Sequence, residues 1–234
     1  MQRVSQIEGF VLHSRGFRET SSIVDIVTAE YGRISLVAKG SRASKSRWHG
    51  LLQPFRQLEF SWIKRGQLGT LTAADLNIGW PQLRGRTLYC GLYLNELLIR
   101  LTGVENPDQQ LYLAYGRALH ELSTLGDKRV ALRRFEKQLL NSLGVGLALE
   151  FDMQHNHPVQ SDCQYLFDPL QGPVLARSES VADTVPGELL LQLAADNYSE
   201  EKWLPGMRRL LQTALQIQLG GKQLASQKIL RSLS

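Results

Sequence analysis

Between Tyr31 and Leu58 the chain carries Arg33, Lys39, Arg42, Lys45, Arg47 and Arg56 and no acidic residue. Cations grouped this way, with no carboxylate nearby in sequence to neutralise them, suit a polyanion, because each one that meets a phosphate releases condensed counterions. The plain alternative is a solvated loop that keeps the protein soluble. Trp48 stands between Arg47 and His49. Its ring either stacks on a base, worth about 1–3 kcal/mol, or turns inward to anchor the loop.

A second cationic group sits on a predicted helix, where Arg129, Arg133 and Lys137 recur at every fourth residue with Arg134 beside them. Such a face is either a solvated flank paired with Glu136 and other acids, or a clamp for a carboxylate-rich tail, since guanidinium binds carboxylate bidentately. His155, His157 and Cys163, near Asp152, are metal-ligating types, but a structural zinc needs four strong ligands and only three are present, so a solvated loop is expected and no cofactor. His13, His49 and His120 are isolated and read as ordinary surface or strand residues. Gly220-Gly221-Lys222 imitates the end of a phosphate loop, yet Gln216 stands where that loop requires glycine. With no nucleophile elbow, metalloprotease helix, dinucleotide turn or recognisable carboxylate pair, the chain reads as a binding protein and not an enzyme.

These residues need elements to hold them. Phe10 and Leu12, then Ile23, Val24, Ile26 and Val27, then Ile34, Leu36 and Ala38 predict three strands, with Tyr31-Gly32 turning between the last two. A fourth runs from Phe55 to Ile63 with Leu58, Phe60 and Trp62 on one face, and a fifth from Leu68 to Ile78. Five short strands in so small a span predict a closed barrel, because an open sheet would leave edges unpaired. From Pro81 the period becomes helical. Leu88, Tyr89, Leu92, Tyr93, Leu97 and Leu101 predict a helix over 84–102, Leu111, Tyr115, Leu119 and Leu122 a second, and Leu132, Phe135, Leu139 and Leu143 a third over 128–143. Residues 147–185 break the pattern, and Tyr165–Phe167 with Val174–Ala176 predict a hairpin inserted among helices. Helices resume at Glu188–Ala195 and near Pro205, where Met207, Leu210, Leu211, Ala214 and Leu215 align; a short last helix carries Ile229, Leu230 and Leu233. The expected fold class is therefore α+β and multidomain, a barrel over 1–80 followed by a helical domain over 81–234 with an insertion at about 147–185.

Charge follows the same division. Residues 1–80 hold 11 Lys+Arg against 6 Asp+Glu, and so carry the whole net charge of +5. A chain of 234 residues with 43% hydrophobic and 21% charged residues is ordinary for a globular protein and excludes disorder. No apolar run spans a membrane and no apolar signal core opens the chain, so a cytoplasmic location is expected, with Cys90 and Cys163 reduced.

Several segments, in order along nearly the whole chain, carry a family likeness: Gly9-Phe10-Val11-Leu12-His13-Ser14-Arg15, Arg18-Glu19-Thr20-Ser21, Tyr31-Gly32-Arg33, Val37-Ala38-Lys39-Gly40-Ser41-Arg42 and Leu52-Gln53-Pro54-Phe55 in the first third. Leu92-Tyr93-Leu94-Asn95-Glu96-Leu97, Leu132-Arg133-Arg134-Phe135-Glu136 and Leu219-Gly220-Gly221-Lys222 continue it. Together they resemble the bacterial RecO family of DNA repair proteins. The resemblance implies an N-terminal OB fold, then a helical domain with a small insertion. It further implies a nucleoid-associated recombination mediator that binds single- and double-stranded DNA, anneals strands, contacts the C-terminal tail of the single-stranded-DNA-binding protein, and with RecR helps RecA load. Many members hold zinc through four cysteines in the insertion, where this sequence keeps only Cys163. An RNA-binding OB protein is the competing reading.

Overall fold

The computed structural model describes residues 1–66, 68–76, 83–124, 126–176 and 183–227. Ile229, Leu230 and Leu233 of the expected last helix, and the end of the fifth expected strand at 77–78, lie outside them. Two compact units form, one of residues 1–126 together with 224–227, the other of residues 127–223. Among the described residues, no helix is long and apolar enough to cross a membrane.

In the first unit, β1 (Gln2–Phe17), β2 (Ser21–Thr28), β3 (Gly32–Ala38), β4 (Gln57–Lys64) and β5 (Gly69–Leu76) close into a barrel in the order β1-β2-β3-β5-β4. Strand β1 pairs with both β2 and β4, and its register shifts between Val11 and His13 and between Val4 and Ile7, so it bends round the barrel. That bend breaks strict alternation, which is why only Phe10 and Leu12 of its 16 residues stand out in sequence. Elsewhere alternation holds: Leu58, Phe60 and Trp62 point inward from β4, and Ile34, Leu36 and Ala38 from β3. Closure comes from two parallel pairings, Leu36 with Gly69 and Val37 with Thr70. A Cβ on Gly69 would lie 2.6 Å from Leu36 Cδ2, so glycine is what lets β5 seat against β3. Gly32 has φ +63° in the β2–β3 turn, and the Asn106 backbone occupies the place its Cβ would take.

Helices α1 (Arg86–Leu101) and α2 (Gln109–Ser123) belong to the barrel's compact unit. The Phe10 ring packs against Tyr112 and Tyr115, with centroids 5.3 Å apart in each case. The inward face of α1 differs from the expected one. Cys90, Tyr93, Leu94, Leu97 and Leu98 are buried, while Leu88 is exposed. A helix apolar on both flanks leaves its phase open, and polar Asn95 settles it. Asn95 Nδ2 donates to Leu12 O at 2.7 Å and its Oδ1 accepts from the Tyr115 hydroxyl at 2.5 Å, so burial leaves neither amide atom unsatisfied. Desolvation pushes the Tyr115 hydroxyl well above its ordinary range.

The next residue after Asn95, Glu96, accepts from the Ala225 and Ser226 amides at 3.1 and 2.9 Å and from the Ser226 hydroxyl at 2.7 Å. Burial pushes this carboxyl up, but the Ser226 and Ala225 hydrogen bonds, with Arg100, more than offset it and hold the carboxyl below its ordinary 4.5. A carboxyl lowered on folding gives stability that is complete above its unfolded pKa and lost as pH falls through the folded one. The grip on residues 224–227 is therefore expected to be full near pH 6 and to loosen below about pH 4.5. Amide NMR of Ala225 and Ser226 through an acid titration checks this, and Glu96→Gln should remove the pH dependence.

In the second unit, α3 (Lys128–Ser142), α4 (Gly187–Ala194) and α5 (Leu204–Gln218) accompany a small sheet of β6 (Gln164–Asp168), β7 (Gly172–Leu175) and β8 (Val185–Pro186), ordered β7-β6-β8. The expected hairpin thus gains a short third strand, in which Val185 pairs with Tyr165.

Candidate nucleic-acid interface

The basic loop leaves β3 at Lys39 and returns to β4 at Gln57. It is a chain of tight turns (Ala43 N to Gly40 O, Ser46 N to Ala43 O, His49 N to Ser46 O, Leu51 N to Trp48 O) tied to the barrel at both ends and in the middle. The Arg42 amide donates to Thr20 O at 2.8 Å, Phe55 N to Val11 O at 2.8 Å and Val11 N to Arg56 O at 2.9 Å, while mid-loop Trp48 packs into the barrel core with its Nε1 donating to Lys39 O at the loop's own start at 3.1 Å. Trp48, Leu52 and Phe55 are buried beneath it. On this frame Lys39, Arg42, Lys45 and Arg47 stand exposed.

Three expected members are placed otherwise. Trp48, weighed as a stacking platform, is 4% exposed and covered by the Arg47 guanidinium 4.2 Å from its ring, so it offers no face to a base. Burying a large ring whose N–H has found a partner is the stronger driving force. Arg33 lies at the far end of β3, roughly 20 Å from Lys39 at strand rise. Its Nη2 donates to Thr102 O at 2.9 Å, which removes it from the loop's group. Arg56 is half-buried at the loop's base, and its carbonyl accepts from Val11 N.

A charged stripe escaped the reading of the sequence. His13, Arg15 and Phe17 alternate on β1, a pattern that puts all three on one side of a strand. Asp25 lies opposite His13, and Ser35 lies opposite Asp25. Asp25 is only 3% exposed. Its carboxylate accepts from Arg15 Nη1 at 2.8 Å and Ser35 Oγ at 2.5 Å, with His13 Nδ1 4.0 Å away. The alternation was the signal, hidden because His13 read as isolated.

On α3 the four cations do not form an open clamp. Arg133 is buried and bonds Glu136 bidentately, Nε to Oε2 at 2.7 Å and Nη2 to Oε1 at 2.5 Å. Lys137 Nζ donates to Leu193 O and Ala194 O at 2.8 Å, where it satisfies the last carbonyls of α4, and pairs with Asp196 at 3.0 Å. Arg129 pairs with Asp127 and Glu201, and the Asp127 carboxyl is held below its ordinary value by the Arg129 hydrogen bonds. The Arg134 guanidinium rests 5.4 Å from the Tyr198 ring centroid. Burial, with Asp196 beside it, pushes the Tyr198 hydroxyl far up. The clamp expectation is corrected for Arg133 and Lys137, which their own chain engages away from solvent, whereas Arg129 is paired but stays exposed.

The residues at the insertion do not fit a zinc site. The buried Asp152 carboxylate accepts from Gln154 N at 3.0 Å and lies 2.8 Å from His155 Nδ1, and Cys163 Sγ lies 3.5 Å from Gln160 Oε1. Among the described residues no three His, Cys, Asp or Glu stand so as to hold a metal.

Comparison with known proteins covers nearly the whole chain. Residues 1–78 match the family model described as Recombination protein O N terminal, and residues 82–234 match Recombination protein O C terminal. A DNA repair protein RecO of Aromatoleum aromaticum is 40% identical over 233 residues, spanning 99% of this chain and 97% of that one. One of Halorhodospira halophila is 41% identical over 227 residues, 96% and 95% of the two chains, and one of Xylella fastidiosa is 40% identical over 222 residues, 93% and 91%. The OB barrel and the helical region with its small sheet are those the resemblance implied. The chain belongs to the RecO family of DNA repair and recombination proteins.

Proposed function

We propose that this chain is a recombination mediator without catalytic turnover, which works at the nucleoid, binds single- and double-stranded DNA and anneals complementary strands. In this reading the barrel of residues 1–80 holds DNA. Residues 81–234 serve protein partners: RecR, and through it RecA, and the acidic tail of the single-stranded-DNA-binding protein. One observation carries the reading: four exposed cations, Lys39, Arg42, Lys45 and Arg47, stand on a loop tied to the barrel along its length. Such a loop offers charge at fixed spacing. With Arg56 as a fifth contact, the single-strand salt slope should be about −3.5, at roughly −0.7 per phosphate. Backbone contacts read no base edges, so sequence preference is weak. Two strands held on one cationic surface repel each other less, and complementary sequences meet sooner. On α3 the tail contact falls to Arg129 and Arg134, whose guanidinium groups are not buried.

The test is annealing of complementary strands precoated with the cognate single-strand-binding protein, with and without its acidic tail. Acceleration that disappears when the tail is removed is expected. Absence of acceleration on coated and bare strands alike would sink the mediator reading, and tighter binding to matched RNA than to DNA would replace it with the RNA-binding one.

A further inference from the structure

The loop gives phosphate contacts but, with Trp48 and Phe55 buried, no exposed Trp, Tyr or Phe ring for a base. The outer stripe of β1 supplies one. Phe17 is half-exposed at the end of β1, with the Arg18 guanidinium 5.1 Å from its ring centroid. Beside it, Gly16 leaves open the space that Arg42 fills, since Arg42 Nη1 lies 2.8 Å from where a glycine Cβ would stand. That space lies on the face of β1 opposite Arg15 and Phe17, because successive strand residues alternate, so Arg42 ties the loop to β1 without joining the stripe. Arg15 completes the set. Its side chain is 53% exposed, yet Asp25 holds one end of its guanidinium. A guanidinium has five N–H donors in a rigid fork, so one fixed by a buried carboxylate keeps donors for a second anion.

We propose that His13, Arg15 and Phe17, with Arg18, form a single-strand track in which Asp25 positions Arg15 for a phosphate and Phe17 stacks on the adjacent base. This rests on the DNA-binding reading of the loop and adds the base contact that the loop lacks. Charge complementarity and an aromatic ring between cations favour an unpaired polynucleotide, because stacked bases inside a duplex keep their faces covered. On this proposal the track adds a contact that an unpaired strand can make and a duplex cannot.

Anisotropy titrations of the full chain with an oligothymidine and with an abasic strand of equal length test it. Phe17→Ala should weaken oligothymidine binding about 5- to 10-fold and leave the abasic strand nearly unchanged. Phe17→Leu, which keeps apolar burial without a π face, should behave alike while melting as the parent does. Equal losses on both strands, or none, overturn the stacking role. Arg15→Ala should flatten the salt slope by about 0.7. Asp25→Asn distinguishes positioning from bulk electrostatics: removing a negative charge should tighten binding if Asp25 only repels DNA, and weaken it with the same loss of slope if Asp25 orients Arg15. Lys45→Glu with Arg47→Glu is the separate arm for the loop. If that pair loses affinity while the stripe variants do not, the track fails and the loop reading stands; the reverse pattern keeps the track and removes the loop.

Discussion

Charge reversal to glutamate at Lys39, Arg42, Lys45 and Arg47 together should lower single-strand affinity by about 600-fold or more at 0.1 M salt. Each phosphate contact contributes a slope of roughly 0.7, so four contacts account for about 2.8 decades between molar and tenth-molar salt. The slope itself should shrink by about 2.8, which a titration at several salt concentrations reads directly. All four side chains are exposed, so the barrel should survive. Replacing Arg47 uncovers the Trp48 ring at a cost of about 0.5–1 kcal/mol, and the melting temperature should fall by only a few degrees. A variant with parental affinity and slope removes the loop from the DNA-binding surface.

Arg133→Ala should be among the most destabilising substitutions in the chain. It would leave Glu136, which is fully buried, without its bidentate partner, and breaking a buried pair from one side costs about 3–5 kcal/mol. Urea unfolding should show the midpoint falling with little change in slope. Arg133→Met combined with Glu136→Leu removes both charges and should recover most of the loss. A single variant as stable as the parent would mean the pair does not hold α3. Because Arg133 is structural, a tail-binding defect in its alanine variant would report unfolding, and Arg134→Ala is the informative probe of a tail site.

The barrel was legible because β3 and β4 alternate cleanly and Leu58, Phe60 and Trp62 can share only one face. The basic loop was equally plain, since net charge is additive along a sequence. What escaped depended on pairing across distance. The pairing with Glu136 was legible at i, i+3, but nothing local says that this pair turns inward while Arg129, one turn earlier, stays out with Asp127 and Glu201. The phase of α1 was misread because apolar residues flank both sides and the deciding residue, Asn95, is polar. Trp48 had two sound readings, and only the carbonyl of Lys39 waiting for its indole N–H distinguishes them. Asp25 became informative only once strand register set it beside Arg15 and Ser35.

The three ties of the basic loop to the barrel have a thermodynamic corollary. Immobilising one residue's backbone costs about 1–2 kcal/mol, and here that cost falls on the folding reaction and not on each encounter with a polynucleotide. A floppy arm of the same composition would have to freeze every time it docked. A rigid one can let go and rebind along a strand without refolding, which is what a protein must do if it is to hand that strand on.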